Sequence, residues 1–357
     1  MAAFSEAKVV EVLEEGSEIV RFTVETSGET FEAVGFPSML GSVQPGDRVV
    51  VNTTGIELGL GTGGVAFVLW NLDGPGATDV GEGHIMKFRY TPWQMNLLAA
   101  EAPESSTHAA LADVTSIDGT PVVALGLHSQ LAPAAAGIKA QAPDARVGYL
   151  MTDGASLPLA WSRSVAALRD SGLLDATCTA GHAFGGELEA VNVFSGLAAL
   201  CHVADADVIV AGAGPGVVGT DTELGFSAIE QGQLVDAANG LAGRPVAALR
   251  ISFADDRVRH HGVSHHTVTA LTIAAQSRAI VVAPKLPPSQ TKAVEDHLRS
   301  SGICDKHDLE WADGRPEVEL LVERGLEPRS MGRGMDESPE LFLAAAAAGR
   351  VAAHLLD

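Results

Sequence analysis

The chain has 357 residues, 46% apolar and 19% charged, with 23 Lys and Arg against 45 Asp and Glu, a formal charge of −22. That balance describes a globular protein of about two domains, and without a basic run it excludes nucleic acid and anionic membranes as partners. Three cysteines without CxxC spacing, no signal peptide and no apolar span of about 20 residues point to a reduced, cytoplasmic setting.

Residues 1–80 read as a small all-β domain. Ala7–Glu14, Glu18–Glu25, Glu29–Phe36, Arg48–Thr53 and Gly64–Asn71 are short runs rich in Val, Ile, Phe and Thr. Glu15-Gly16-Ser17, Ser27-Gly28 and Gln44-Pro45-Gly46-Asp47 supply the turns, so the five strands predict a closed barrel of the OB or SH3-like kind. Between the last two strands, Asn52–Gly64 holds five glycines. It reads either as a flexible barrel corner or as a backbone surface for a ligand or the next domain. Leu72–Gly83, rich in Gly and Pro, is the expected domain boundary.

His84–Tyr90 and Gln94–Ala100 read as paired strands, or a strand and a short helix, packed around Trp93. From there the pattern alternates, and residues 84–357 are expected to form a Rossmann-like α/β domain with a C-terminal helical appendage. Thr120–Leu127, Arg146–Met151, Ala176–Ala180, Ala206–Ala211, Pro245–Ser252 and Ala279–Ala283 are continuous apolar runs, as strands buried on both faces require. Helical segments fall near 130–141, 157–171, 188–203, 223–241, 265–277 and 288–301. The prediction is a doubly wound, mostly parallel sheet. The last segment, Glu340–Leu356 with its run Ala344–Ala348, is a strong helix former. It is expected to dock on the sheet or on a second subunit of a homo-oligomer.

Ligands of open parallel sheets bind beyond the carboxyl ends of the strands. Five successive ends carry titratable or hydroxyl groups: His128-Ser129, Thr152–Ser156 with Asp153 and Ser156, Gly181–Glu187 with His182, a glycine loop after Asp207–Ala211, and Asp255–His261. The loop contains Gly212, Gly214, Gly216 and Gly219, followed by Thr220-Asp221-Thr222-Glu223. It matches neither the dinucleotide fingerprint nor a Walker loop. It reads as an anion cradle leading into a helix, or as a tight structural turn with N-cap residues.

His260, His261, His265 and His266 crowd one short stretch, with Ser264 a natural N-cap for the last two. A metal site there would draw on His261, His265 and a carboxylate, Asp221 or Asp255. No HExxH-type spacing is present, so no metal or other cofactor is assigned. Leu326–Asp336 is a second glycine-containing loop, which reads either as a solvated connection before the last helix or as a loop whose Arg329 and Arg333 reach an anionic substrate group. Cys178, inside an apolar strand, reads as an inert buried thiol.

Three stretches, Val51–Gly64, Gly181–Asn192 and Ser330-Met-Gly-Arg-Gly334, resemble an uncharacterised bacterial family, the domain of unknown function 3866. The resemblance spans nearly the whole chain and implies no activity. A looser likeness, of layout alone, is to the substrate-binding component B of the glycine and betaine reductases, whose chains mature at a cysteine. Cys178 is the position such a likeness would single out.

These features predict an enzyme acting on a small anionic metabolite. Gly212, Gly214, Gly216, Gly219 and Thr220 would hold the anion, with His128, Ser129, Asp153, Ser156 and Arg333 lining the site. His182, His261 or His265 would transfer protons, with Asp221 orienting one of them. The alternative is a non-catalytic sensor or binding module that uses the same cleft.

Overall fold

Alternation in the first strands builds a barrel. In β2 (Val20–Thr26) Phe22 and Val24 point inward while their neighbours stay at the surface, and in β1 (Phe4–Glu15) Ala7 and Val9 do the same. With β3 (Glu29–Gly35), β4 (Arg48–Asn52) and β5 (Ala66–Asn71) they close in the order β1-β2-β3-β5-β4. All pairs are antiparallel except β3 with β5. Two register shifts in β1 supply the local bend that closure requires. The computed structural model describes residues 2–59, 64–77 and 81–356. Residues 60–63 of the glycine-rich stretch and 78–80 of the expected boundary lie outside the described residues.

Contacts divide the chain into two units, Met1–Leu97 and Leu98–Asp357. The first includes a hairpin of β6 (Ile85–Lys87) and β7 (Met95–Leu97), paired antiparallel. Trp93, expected at the centre of that packing, is exposed instead, in the turn between the two strands.

The second unit is built on β8 (Pro121–Ala124), β9 (Val147–Thr152), β10 (Ala176–Ala180), β11 (Leu188–Ala190), β12 (Val208–Ala213) and β13 (Arg244–Ala248). A two-residue pair, β14 (Ile251–Ser252) and β15 (Gly262–Val263), follows, then β16 (Ile280–Pro284) and β17 (Asp308–Ala312). Eight of these form one parallel sheet in the order β11-β10-β9-β12-β8-β13-β16-β17. All six expected strands are present. The two edge strands were not expected: β11 falls inside the predicted helix 188–203, which starts only at Val193, and β17 falls in the appendage.

Alternate residues of each strand serve opposite layers. Val122, Ala124, Leu150 and Ile209 face a core shared with helices 193–202, 230–240 and 288–300. Val123, Tyr149, Met151 and Val210 face a core shared with helices 131–141, 163–170 and 339–354. From β8 the chain winds to β9, β10 and β11, then returns to β12 beside β8 before winding the other way. The β8–β12 boundary is therefore the topological switch point, where such sheets form a crevice.

The Ala-rich segment is the helix Pro339–His354, almost wholly buried within its own chain. It crosses helix Leu131–Gln141 so closely that a Cβ on Gly349 would lie 2.0 Å from the Ala134 oxygen, and one on Gly137 2.2 Å from the Ala346 oxygen. Cys178 is fully buried in β10 between β9 and β11. Among the described residues no helix is long and apolar enough to cross a membrane.

Candidate functional site

The switch point is filled by His128. Its Nε2 lies 2.6 Å from Ser162 Oγ, and its Nδ1 lies 3.2 Å from the Tyr149 hydroxyl and 3.3 Å from the Ala213 carbonyl. Burial lowers its pKa to about 4, so the ring is neutral near pH 7. Ser162 also accepts the Val165 N–H as the cap of helix 163–170, and Tyr149 donates to the Gly212 and Ala213 carbonyls. His128 therefore ties three strand ends together. Beside it Ser129 Oγ donates to Ser330 Oγ at 3.0 Å, which brings the 326–336 loop to the end of β8.

The neighbouring strand ends are organised by carboxylates. Asp153 accepts the backbone N–H of His182 at 2.9 Å and so fixes the turn after β10. His182 is thereby placed beyond β10, two strands from β12 in the sheet order. Thr152 Oγ1 donates to Glu230 Oε2 at 2.7 Å, and burial raises the Glu230 pKa. Ser156 contributes its backbone, donating N–H to the Pro215 carbonyl.

The glycine loop departs from its predicted form. Gly212, the last residue but one of β12, packs against Leu125, and Gly214 approaches the Ser156 carbonyl so closely that a Cβ would lie 2.9 Å away. After Gly216, at φ +103°, the chain does not enter a helix. It doubles back instead, with Gly219 bridging to Phe226 and Thr220 N–H donating to the Gly225 carbonyl at 2.7 Å, and the helical stretch begins with a 3-10 turn at Ser227 that leads into the α-helix at Glu230. The Thr220–Glu223 segment thus caps no helix, and the start of the helical stretch is tied to the loop through Ser227, which exchanges hydrogen bonds with Val218. What Gly219 does is pack against a ring: a Cβ there would lie 3.4 Å from His266 Cε1.

That ring belongs to a histidine cluster. His260, His265 and His266 have centroids 4.4–5.0 Å apart, and each offers a nitrogen within 4.8 Å of the others. Ser264 caps the short helix as expected, accepting the His266 N–H, and its Oγ lies 2.7 Å from His260 Nδ1. His266 Nδ1 accepts from Arg250 Nη1 at 3.1 Å, and His265 Nε2 is buried without a hydrogen-bond partner. His261 is excluded: it is exposed, its ring edge-on to Phe253. Asp221 is exposed and pairs with Arg259 at 2.5 Å, not with a histidine. The metal set drawn from the sequence, His261 and His265 with Asp221 or Asp255, is therefore not assembled.

Arginines surround the imidazoles. Asp255, 5% exposed, receives two parallel bonds from Arg257, at 2.9 and 2.8 Å. Arg333 Nη1 lies 3.9 Å and Arg250 Nη2 4.0 Å from the same carboxylate. The bond from Arg257 holds the Asp255 carboxyl well below the usual range. Burial, then the neighbouring arginines, lowers Arg250 to about 10, which leaves it charged at neutral pH. Burial also lowers His265, and with Arg250 it brings His260 to about 4 and His266 to about 3. The cluster is thus uncharged imidazole set among charged guanidinium.

Arg250, Tyr149 and Phe226 are candidate-site residues that sequence reading did not select, and Arg257, His260 and His266 lay in stretches it marked without giving them a role. The Asp255–His261 run was a visible signal, but sequence does not tell which of two adjacent histidines turns inward. Arg329, the partner of Arg333 in that reading, turns back on its own loop, donating to the Gly332 carbonyl.

Fold and site together define a barrel protein with a doubly wound parallel sheet and a His/Arg cluster at the carboxyl ends of its central strands. The chain matches the family described as Protein of unknown function (DUF3866) over residues 32–349, and it belongs to that family. No curated protein and no solved structure matches it.

Proposed function

We propose that the protein is an enzyme acting on a small anionic metabolite held at the carboxyl ends of β12 and β13. One observation carries this reading: Arg250, Arg257 and Arg333 converge on the single buried carboxylate of Asp255 in a protein of formal charge −22. Three guanidiniums against one carboxylate leave positive charge for a ligand to neutralise, and guanidinium suits phosphate and carboxylate groups. Uncharged imidazoles beside them are suited to accept or pass protons in such a ligand. The glycine loop supports this arrangement by backing His266 rather than by cradling the anion.

Calorimetric titration at low salt with phosphate, pyrophosphate and a dicarboxylate tests the binding step. At least one should bind, and Arg250→Gln and Arg333→Gln should each weaken it roughly tenfold or more. Absence of binding by all three, or binding indifferent to both changes, would sink the reading. Turnover is then sought by product mass spectrometry over phosphorylated and carboxylated metabolites. A His265→Asn protein that binds the anion but has lost turnover would place the His265 lone pair in the reaction.

A further inference from the structure

The same cluster carries an inference beyond anion binding. We infer that His260, His265 and His266 form a site for a divalent transition metal of the zinc or cobalt kind, leaving a fourth position for an oxygen ligand. Three neutral imidazoles with one open position are the donor set of a catalytic rather than a structural zinc site.

Each ring has a nitrogen to give. His265 Nε2 is buried without a partner, which is costly for a polar atom unless a ligand meets it. His260 is steered through Nδ1 by Ser264 Oγ at 2.7 Å, the outer-shell bond that typically orients a metal-bound imidazole, and this leaves Nε2 for the ion. His266 Nδ1 faces a guanidinium, which only donates, so Nδ1 carries the lone pair. One nitrogen of each ring lies within 4.8 Å of one on the other two, and metal entry would draw them in to the roughly 3.4 Å that tetrahedral zinc–nitrogen bonds require.

Arg250 sets the condition for binding. It holds the lone pair that the metal needs, and its charge opposes a cation. Its other amino group, Nη2, already lies 4.0 Å from Asp255 Oδ2, so a displaced guanidinium has a carboxylate to close upon. Metal entry is thus an exchange: Arg250 leaves His266 and tightens on Asp255. An anion in the fourth position would offset the remaining positive charge, so metal and anion should strengthen each other's binding.

The test uses the full chain stripped with chelator and titrated with Co2+, read by its visible d–d absorption, then displaced with Zn2+. One equivalent should bind. His265→Ala should weaken it roughly 100-fold, whereas Arg250→Gln should tighten it about tenfold by removing the competing charge. X-ray absorption of the wild-type cobalt form should find three imidazole nitrogens, a readout that does not depend on any variant folding. No stoichiometric uptake, uptake unchanged by His265→Ala, Arg250→Gln weakening the site, or fewer than three imidazoles would each overturn the inference. Phosphate titration of the stripped protein separates the two ideas. Phosphate binding without metal uptake removes the metal alone, and metal uptake without any phosphate effect removes the anion reading alone.

Discussion

The imidazole of His266 lies flat on the ring of Phe226, with centroids 3.9 Å apart and planes 3° from parallel. This contact joins the loop that follows β12 to the segment that follows β13, and two neighbouring pairs reinforce it: Arg259 with Asp221, and Thr269 with Glu223.

Phe226→Leu should therefore act on the site more than on the fold. Leucine keeps most of the buried apolar volume but loses the flat face, so thermal unfolding should show a loss of roughly 1 kcal/mol. Anion affinity by calorimetry should fall by a larger factor than that stability change implies. A variant with unaltered affinity would show that the stack is only packing.

Asp255→Asn removes the carboxylate that Arg250, Arg257 and Arg333 share. Breaking a buried ion pair from one side costs about 3–5 kcal/mol, because the remaining charges stay uncompensated. Added phosphate should restore part of that loss and raise the melting temperature of Asp255→Asn more than that of the wild type. Equal shifts in the two proteins would count against an anion among these arginines.

His128 makes a prediction about pH. Its folded pKa of about 4 lies below the ordinary 6.5, so the unfolded chain takes up the proton first. The stability linked to the neutral ring is present above pH 6.5 and is lost as pH falls through 4, amounting to about 3 kcal/mol. Chemical denaturation at several pH values should show a shallower acid limb for His128→Asn than for the wild type. Parallel curves would contradict this.

Gly349→Ala tests the helix crossing. Helix propensity alone favours alanine by about 1 kcal/mol, yet a Cβ there would lie 2.0 Å from the Ala134 oxygen. The backbone must separate, so we expect net destabilisation of at least about 2 kcal/mol by thermal or chemical unfolding. Stabilisation would mean that the two helices are free to move apart.

Much of the fold was legible because burial on both faces writes itself as uninterrupted apolar sequence. Val147–Thr152 and Val208–Ala213 are of this kind. The edge strands were not legible for the converse reason. Asp308–Ala312 carries Asp308 and Glu310 on its exposed positions, and Leu188–Ala190 is a three-residue piece of Leu-Glu-Ala, composition that favours helix in isolation. Only pairing with β16 and β10 makes them strands.

The site was legible as a location but not as a constellation. Strand ends marked His128, the glycine loop and the Asp255–His261 run, and the structure brings the last two together. Orientation decided the rest: Val258–His260 is a short 3-10 turn that buries His260 and leaves His261 outside. The doubling back of Thr220–Phe226 likewise depends on a stacking partner 40 residues further along the chain, from Phe226 to His266.

Helix Pro339–His354 begins where it meets the arginine-bearing segment. Glu340 accepts the Phe253 N–H at 2.5 Å and the Ser338 hydroxyl at 3.0 Å, while Ser338 Oγ meets Ser252 Oγ at 2.9 Å. Immediately before it, the 326–336 loop delivers Arg333 and the Ser330 contact to Ser129. The cleft is therefore finished by segments that leave the ribosome after all eight strands. A nascent chain stopped short of Ser338 would carry the histidines and all three arginines yet lack the bonds from Ser338 and Glu340 to the Ser252–Phe253 segment. The arginine-bearing segment is thus completed from the C-terminal end of the chain, by the helix that follows all eight strands of the sheet.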